Sequence, residues 1–450
     1  MDDSTRRPPV SLYLAALAAL PGSWLGVSSY LGLPAPHLEE PLLAVIYGGA
    51  IIGAAFLLSW AAEAVQVDIN AGLALALLAL LAVLPEYAVD FVFATHCGAA
   101  FTGDGSSPEV CSLALANMTG ANRVLVGVGW PLVVLVATLA VWRTARREGR
   151  DTGDAASASS RVGEVRLAPA MSVEIGFLAF ATLYSLSLPL RTSIGIWDSV
   201  VLIGLFVAYA WRLSRMPRTE PDLLGVSAWV GRRPRRVRRT ALVVMFSFAA
   251  LVILATAEHF AESLVASGRQ IGISEFLLVQ WVAPLASESP ELIVACLYAW
   301  RLKASDSLGT LLSSKVNQWT LLVGGLPVVF AVSAMTTSGL PLDTHQRYEL
   351  LITGAQSLFA VALLVNVSLN ARAAIALLGL FLSQFLVSVL FSEQVNQIVI
   401  VVLSAVYVVA AVAILMRHRG RALRLVRDAT VSSLEALPEE PQEDDSVRAR

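Results

Sequence analysis

The chain is poor in charged residues, in lysine and in cysteine. Only 15% of its 450 residues are Asp, Glu, Lys or Arg, whereas a soluble domain carries about 25%. Hydrophobic residues make up 56% of the chain, so a soluble fold would lack the polar residues that cover a surface. Three cysteines are too few for a disulfide-rich scaffold. The composition therefore predicts a protein embedded in a lipid bilayer.

The sequence motifs of several enzyme classes are also missing. The chain has no P-loop, no His-Glu-x-x-His element and no Gly-x-Ser-x-Gly nucleophile elbow. Nothing in the sequence indicates ATP hydrolysis. We expect a protein that is not an enzyme, that needs no cofactor and that does not bind nucleic acid.

Long hydrophobic stretches recur along the chain. About twelve of them are long enough to cross the roughly 30 Å of hydrocarbon in a bilayer. We predict spans at 10–33, 41–67, 71–96, 112–142, 169–189, 194–212, 240–266, 273–300, 306–334, 348–367, 371–391 and 395–416. The first stretch follows two arginines and could instead be a signal peptide, although no small-x-small cleavage site ends it. The expected fold class is an all-α polytopic membrane protein.

Basic loops predict the orientation of the spans. Arginine-rich segments precede the first and seventh spans and follow the fourth and twelfth. With twelve spans these segments all lie on one side, which the positive-inside rule identifies as the cytoplasm. We therefore expect both termini to be cytoplasmic, in a bacterial-type plasma membrane. The loop between Cys97 and Cys111 then faces outside, where the two thiols either pair or stay separate.

Polar interruptions divide the chain into two membrane halves. We predict an N-terminal half at 1–212 and a C-terminal half at 240–416, joined by a basic cytoplasmic linker at 213–239. Residues 417–450 form a cytoplasmic tail. Its end is acidic and contains proline, so we expect the tail to be disordered.

A Pro-Glu pair lies inside a hydrophobic stretch in each half. Residues 81–91 read LAVLPEYAVDF and residues 282–293 read VAPLASESPELI, which contain Glu86 and Glu291. A carboxylate at bilayer depth costs about 2.5–3.5 kcal/mol on insertion scales, and a proline frees a backbone carbonyl one turn earlier. Five spans separate the pairs, so the two halves have inverted topology. Such repeats build a midplane ion site from broken helices.

The span after each Pro-Glu pair carries polar residues within hydrophobic sequence. Residues 113–131 read LALANMTGANRVLVGVGWP and residues 308–327 read LGTLLSSKVNQWTLLVGGLP. Both segments end in Gly-x-Pro, and both contain an asparagine at a matching place, Asn122 and Asn317. We expect these segments to supply neutral oxygen atoms to the cation site.

These motifs resemble the two alpha repeats of the calcium/cation antiporter superfamily, the sodium/calcium exchanger membrane family. The stretch GISEFLLVQWVAPLASESPELIVA at 272–295 is similar to the second repeat, and NMTGAN at 117–122 is similar to the asparagine-bearing element of the first. SSKVN at 313–317 is a looser match in the second repeat. The resemblance covers about 71–131 and 258–327.

The resemblance implies an exchanger fold and a function in ion transport. It implies that Glu86 and Glu291 are the ion-binding glutamates, one in each repeat. Where the family carries Gly-Thr-Ser, this chain has Leu81-Ala82-Val83 in the first repeat and Ser287 and Glu288 in the second.

Further oxygen donors surround the two glutamates. Asp90 lies one helical turn after Glu86, and Glu288 lies one turn before Glu291. Calcium prefers about six to eight oxygen ligands. The predicted ligands of the transported cation are Glu86, Glu291, Asp90, Glu288, Asn117, Asn122, Ser313 and Asn317, with Ser314 as another available hydroxyl. For the asparagines and serines, hydrogen bonding between helices is the alternative role.

Two cationic side chains lie close to these donors. Arg123 follows Asn122, and Lys315 is one of only two lysines in the chain. We expect both to influence ion selectivity by standing in for a bound cation. The alternative for Lys315 is that its side chain extends to the cytoplasmic interface.

The predicted function is secondary active antiport of calcium or another cation against sodium or protons. Sodium/proton or potassium/proton antiport on the same fold is one alternative, and a cation channel or receptor without exchange is another. An intramembrane hydrolase with paired carboxylates would lack a metal-ligand histidine. The expected partners are small inorganic cations and the lipid bilayer.

Overall fold

The computed structural model describes residues 8–34, 36, 38–68, 84–102, 109–149, 151–152, 157, 159–215, 223–272 and 277–432. Helices dominate this part of the chain. The α-helices are α1 Val10–Tyr30, α2 Glu40–Val65, α3 Leu84–Ala100, α4 Ala116–Val124, α5 Trp130–Glu148, α6 Ser172–Ser185, α7 Ile196–Leu213, α8 Gly225–Gly231, α9 Arg235–Ile271, α10 Ala283–Ser287, α11 Ser289–Trp300, α12 Ala304–Asn317, α13 Val323–Ala334, α14 Thr344–Leu363, α15 Ala371–Leu390, α16 Glu393–Arg417 and α17 Arg419–Thr430.

Shorter elements connect the helices. Single π-helical turns lie at Leu125–Gly129, Leu278–Val282 and Gln318–Leu322, and 3-10 turns at Glu109–Leu115, Pro169–Met171, Leu188–Leu190 and Leu364–Asn366. Five short strands are β1 Ser160–Arg161, β2 Glu164–Arg166, β3 Ser193–Ile194, β4 Leu340–Pro341 and β5 Ser368–Asn370. They pair antiparallel in the orders β1-β2-β5 and β3-β4, and so join loops of the two halves.

Ten helical stretches in the described residues are long and apolar enough to cross a membrane. They coincide with ten of the predicted spans. The other two predicted spans contain the Pro-Glu pairs. Of the span predicted at 71–96, residues 71–83, including Leu81-Ala82-Val83, lie outside the described part. The span predicted at 273–300 is described from Leu277 onward and consists of three consecutive helical pieces.

Small residues allow the outer helices to pack closely. α2 packs against α1 and α9, and α1 meets α9 where Gly26 approaches Ala255. A Cβ atom added to Gly26 would lie 1.9 Å from the Ala255 carbonyl oxygen. Any larger residue at Gly26 would separate these helices, because backbone occupies the space that its side chain needs.

Cys97 and Cys111 form a disulfide, which is one of the two alternatives that the sequence left open. The bond ties the end of α3 to the 3-10 turn that leads into α4. The Gln346 side chain at the start of α14 donates a hydrogen bond of 2.6 Å to the Cys111 carbonyl oxygen. These contacts hold both site-bearing elements of the first repeat to the second half of the chain.

The tail predicted to be disordered at 417–450 begins instead with α17. Leu425 and Ala429 of this helix are buried, and Ala429 packs against Gly176 of α6, where an added Cβ atom would lie 2.3 Å from the Ala429 Cβ. The Arg212 side chain also donates to the Ala429 carbonyl oxygen at 3.1 Å. This apolar face stabilises the helix, and the sequence analysis overlooked it because arginines surround it. Residues 433–450 lie outside the described part.

The linker predicted at 213–239 contains α8 and the first turn of α9. Its arginines surround Asp68, just after α2. Arg238 donates to Asp68 Oδ2 at 2.7 Å and to Oδ1 at 2.8 Å, while Arg239 and Arg235 lie 3.5 and 3.9 Å from Oδ1. The hydrogen bonds from Arg238 are the main reason that the pKa of Asp68 lies below its ordinary value. The basic linker is therefore anchored to the first half.

Asp68→Asn should lower the melting temperature of the detergent-solubilised protein at pH 7, because three arginines lose their counter-charge. The folded state lowers the pKa of Asp68, so the stabilisation is present above its unfolded pKa of about 4 and is lost as pH falls through the lower folded value. The difference in melting temperature between the two proteins should therefore shrink below about pH 4. A difference that stays constant from neutral to acidic pH would contradict this role.

Candidate carboxylate site

Prolines interrupt the helix that carries Glu291. Pro290 has no amide hydrogen, so it cannot continue the backbone hydrogen-bond pattern. The helix is interrupted at Glu288, between α10 and α11. Glu291 therefore lies in the first turn of α11, with 8% of its surface exposed, and Glu86 lies near the described start of α3, with 1% exposed. Both carboxylates are buried at the ends of helical pieces, as the repeat pattern predicts.

Four carboxylates form one cluster. Glu86 interacts electrostatically with Glu291 and Asp90, and the Ser287 hydroxyl lies against it. Glu288 interacts with both Glu86 and Glu291. Two of the carboxylates come from α3 and two from the α10–α11 region, so the repeats meet at this point. We refer to Glu86, Asp90, Glu288 and Glu291 as the carboxylate cluster.

Several oxygen atoms in the carboxylate cluster lack hydrogen-bond donors. Within the described residues, the buried oxygens without a partner include Glu86 Oε2, Asp90 Oδ2, Glu288 Oε2, Glu291 Oε1, Asn117 Oδ1 and Gln318 Oε1. Buried acceptors normally have a partner, since each one left unpaired costs about 1–3 kcal/mol. Cations or protons bound at the cluster would satisfy these oxygens.

The carboxylates do not form a tight metal cage. Among the described residues, no three acidic, histidine or cysteine side chains lie close enough together to hold a metal ion. A cation at the cluster would therefore be held by one or two carboxylates together with neutral oxygens. Hydroxyls and amides that contact the carboxylates are the available neutral donors.

The predicted asparagines have separate structural partners. Asn117 Nδ2 donates to Asp90 Oδ1 at 2.8 Å, and its own side-chain oxygen has no hydrogen-bond partner. Asn317 Oδ1 accepts a hydrogen bond of 3.0 Å from the Tyr87 hydroxyl, and so links the two repeats. Asn122 contacts Lys315. Of the three predicted asparagines, only Asn117 contacts a cluster carboxylate and has a side-chain oxygen without a hydrogen-bond partner.

The structure places Ser314, and not Ser313, at the carboxylate cluster. The Ser314 hydroxyl donates to Glu291 Oε2 at 2.6 Å. Ser313 lies on a different face of α12 and accepts a hydrogen bond of 3.3 Å from the Tyr209 hydroxyl. Consecutive residues on a helix point about 100° apart, so the choice between the two serines depends on the rotation of α12. The prediction of Ser313 as a ligand does not match this geometry.

Ser314→Ala should weaken cation transport, because Glu291 would lose the hydroxyl that orients it. Removing one such hydrogen bond to a charged group corresponds to about 1.5–3 kcal/mol, or roughly a tenfold change or more in the cation KM. Ser313→Ala is the matched control on the same helix, and its KM should stay near that of the wild type. An equal effect of the two substitutions would show that Ser314 does not act through Glu291.

Lys315 is fully buried, so its side chain does not extend to a membrane interface. Its ammonium donates to the backbone and side-chain oxygens of Asn122 at 2.8 and 3.0 Å, and it interacts electrostatically with Glu288. The alternative of an extended side chain at the interface is therefore wrong. Because Asn122 Oδ1 accepts from Lys315, Asn122 is a ligand of this fixed cation.

The hydrogen-bond partners of Arg123 are groups outside the carboxylate cluster. Its guanidinium donates to Glu349 and Gln384 and lies 4.7 Å from the centroid of the Trp281 ring. Arg123 therefore does not stand in for a cation between Glu86 and Glu291. Glu349 was not predicted as a site residue, because it lies near the beginning of a predicted span, where a carboxylate ordinarily faces water.

The sequence analysis also missed two features beside the cluster. Gln318 donates to Glu288, although it directly follows the predicted Asn317. The polar segments of both repeats pass into π-helical turns, Leu125–Gly129 and Gln318–Leu322. π-helical turns occur often at functional sites. Their matching positions reflect the internal repeat, and no residue type in the sequence distinguished them from α-helix.

Comparisons with known proteins agree with this architecture. The family model described as sodium/calcium exchanger protein matches residues 40–214 and 241–416. The crystal structure of the H+/Ca2+ exchanger CAX is 38% identical, with a TM-score of 0.81, over 95% of this chain and 98% of that chain. The structure of native YfkE has the same fold, with 16% identity and a TM-score of 0.55, over 88% and 99% of the two chains. No curated protein matches the chain.

The resemblance that the alpha repeats indicated is thereby confirmed, and so is the polytopic helical fold. The matched residues lie in both membrane halves, and an exchanger structure aligns over nearly the whole chain. This chain belongs to the sodium/calcium exchanger protein family.

Proposed function

We propose that this protein is a secondary antiporter that exchanges Ca2+ for protons at the carboxylate cluster. The observation that carries the proposal is the meeting of Glu86 and Glu291, one from each inverted repeat, in a buried cluster with unpaired oxygens. Inverted repeats that place helix ends at a common midplane site are the arrangement used for alternating access. The unpaired oxygens are the ligand type that hard cations require.

The donor set supports Ca2+ as one substrate. Glu86 and Glu291 are the proposed central ligands, and Asp90 and Glu288 adjust the charge around them. Asn117 adds a neutral oxygen that lacks a partner, while Ser287 and Ser314 contact Glu86 and Glu291. Ca2+ accepts irregular sets of carboxylate and neutral oxygens, so it fits a site that lacks a tight cage of carboxylates.

The net charge of the site supports protons as the second substrate. Four carboxylates near one point repel each other unless cations or protons neutralise them. Two protons carry the same charge as one Ca2+, so they could replace it without leaving the carboxylates unbalanced. The similar protein of 38% identity is described as an H+/Ca2+ exchanger. Sodium is the alternative counter-ion, since the family model is that of sodium/calcium exchangers.

The predicted orientation completes the proposal. With the arginine-rich segments in the cytoplasm, both termini are cytoplasmic, and the disulfide between Cys97 and Cys111 faces outside. The cluster would then alternate between cytoplasmic and external access. Proton entry from outside would drive Ca2+ out of the cell.

An ion-flux panel in proteoliposomes tests the proposal. The purified protein is reconstituted, and Ca2+ movement is recorded with an imposed proton, sodium or potassium gradient. We expect the proton gradient alone to drive Ca2+ against its own gradient. If only a sodium gradient drives Ca2+ movement, the counter-ion is sodium and not the proton. Ca2+ that only ever runs down its own gradient would indicate a channel and contradict antiport.

A further inference from the structure

Arg123 and Glu349 form a buried ion pair outside the carboxylate cluster. Both side chains are 2% exposed. Arg123 lies on α4 in the first repeat, whereas Glu349 lies on α14, outside both repeats. The guanidinium also donates to Gln384 on α15 and stacks near Trp281. A buried guanidinium with this many partners is held in one position.

Glu349 contacts the second repeat as well. Gln280 Nε2 donates to Glu349 Oε2 at 2.6 Å. Gln280 belongs to the π-helical turn that precedes α10, and its backbone lies against α4. A Cβ atom added to Gly120 would lie 1.7 Å from the Gln280 carbonyl oxygen. Glu349 therefore joins the two repeats at the point where their backbones touch.

Other polar groups around the pair complete this network. His345, one turn earlier on α14, places Nε2 3.9 Å from Glu349 Oε1 and Nδ1 3.8 Å from Glu393 Oε1. Gln384 donates to Asn396 of α16 at 3.3 Å. Glu349 thus faces Arg123, Gln280 and His345, and of these only Arg123 carries a permanent charge.

Arg123 adjoins the Lys315 contact, because the Lys315 ammonium donates to the backbone oxygen of Asn122, the residue before Arg123, at 2.8 Å. The guanidinium and the Lys315 ammonium interact electrostatically, and Lys315 interacts with Glu288 of the carboxylate cluster. An uncompensated guanidinium would add a second fixed positive charge there. Such a charge opposes the binding of any cation nearby, most strongly where water is excluded.

We propose that Glu349 is a positioning residue for cation exchange. Its carboxylate neutralises the charge of Arg123, so the guanidinium does not oppose cation binding at the cluster. Arg123 then stays between Glu349, Gln384 and Trp281 without adding its charge to the site. The inference rests on the proposed function, because it concerns the affinity of the same cation site.

Four proteins test this inference in proteoliposomes: the wild type, Glu349→Gln, Arg123→Gln and the double variant. The Ca2+ KM and the maximal rate are measured for each. Glu349→Gln should raise the Ca2+ KM about tenfold, since it leaves Arg123 charged without a partner. Arg123→Gln should not raise the KM, because it leaves a negative charge near the site. The double variant should have a KM within about threefold of the wild type, because both charges are gone.

The double variant also settles the outcome if Glu349→Gln does not fold. A folded double variant with a KM near that of the wild type supports the inference. A double variant with a KM raised about tenfold overturns it, since the effect would then come from lost packing. A folded Glu349→Gln protein with unchanged KM overturns it as well.

A binding measurement separates this inference from the proposed function. The increase in melting temperature on adding Ca2+, Na+ or K+ is recorded for all four proteins in detergent. If Ca2+ has no effect on the wild type while another of these ions does, calcium exchange fails, and the four variants are compared with that ion. Weaker binding of that ion to Glu349→Gln than to the other three proteins would still support the role of Glu349. Equal affinity of all four proteins for that ion would overturn it.

Discussion

Glu291→Gln should abolish Ca2+ flux while the protein still folds and inserts into the membrane. Glutamine keeps the shape of the side chain and the contact with the Ser314 hydroxyl, but it removes the charge that a divalent cation needs. Removing a charged ligand from a buried cation site should reduce transport by about 100-fold or more. The measurement is Ca2+ uptake into proteoliposomes under a proton gradient, with monodispersity of the purified protein as the check on folding.

Two further variants show whether the effect of Glu291→Gln is specific to the carboxylate cluster. Glu86→Gln should have the same effect, because Glu86 occupies the equivalent place in the first repeat. Glu174→Gln is the matched control, since Glu174 is also a buried glutamate but lies on α6, where it interacts with Tyr209. Its flux should stay near that of the wild type. Normal flux in Glu291→Gln would show that Glu291 is not a ligand, and loss of the folded protein would indicate a structural role.

Lys315→Ser should strengthen Ca2+ binding and change the ion selectivity. The substitution removes a fixed positive charge that faces Glu288 and frees the Asn122 side-chain oxygen. One unit charge removed near a buried divalent site should lower the Ca2+ KM about tenfold. Sodium and potassium should also compete more strongly with Ca2+, since the serine leaves room for a second cation. Competition between these ions is measured in the flux assay.

The chain provides its own control for this prediction. Lys303 is the only other lysine, and it lies at the N-cap of α12, one helix end away from the carboxylate cluster. Lys303→Ser should leave the Ca2+ KM unchanged. If Lys315→Ser and the wild type show identical dependence on Ca2+, Na+ and K+, the lysine is a structural tie between α12 and Asn122 and does not set selectivity.

The carboxylate cluster could be predicted because intramembrane charge is rare. A glutamate at bilayer depth needs a functional or structural reason, and two of them in matching places of inverted repeats predict a shared site. Asp90 and Glu288 followed from helical spacing alone. Ten of the twelve predicted spans coincide with long apolar helices, and the two that carry the Pro-Glu pairs are described without residues 71–83 and 273–276.

The orientation of polar side chains around the cluster was harder to predict. Ser313 and Ser314 differ by one residue, and the sequence contains nothing that fixes the rotation of α12. The π-helical turn at Gln318–Leu322 also rotates the residues of α13, which follow it, relative to those of α12. The sequence also left two placements open for the Lys315 side chain, because a long side chain near a span end can reach either the interface or the interior.

Partners that are distant in sequence were beyond prediction. Arg123 pairs with Glu349, which lies 226 positions later in the chain. Neither residue has a local pattern that identifies the other. α17 was missed because its buried residues, Leu425 and Ala429, make too narrow a stripe among arginines to distinguish it from a disordered tail.

Proton release on Ca2+ binding tests the central claim most directly. The purified wild-type protein in weakly buffered detergent solution is titrated with Ca2+, and the change in pH is recorded. If Ca2+ and protons compete for the carboxylate cluster, about two protons should leave for each Ca2+ bound, and Glu86→Gln with Glu291→Gln should lose both the binding and the release. Ca2+ binding by the wild type without any proton release would contradict proton exchange at this site.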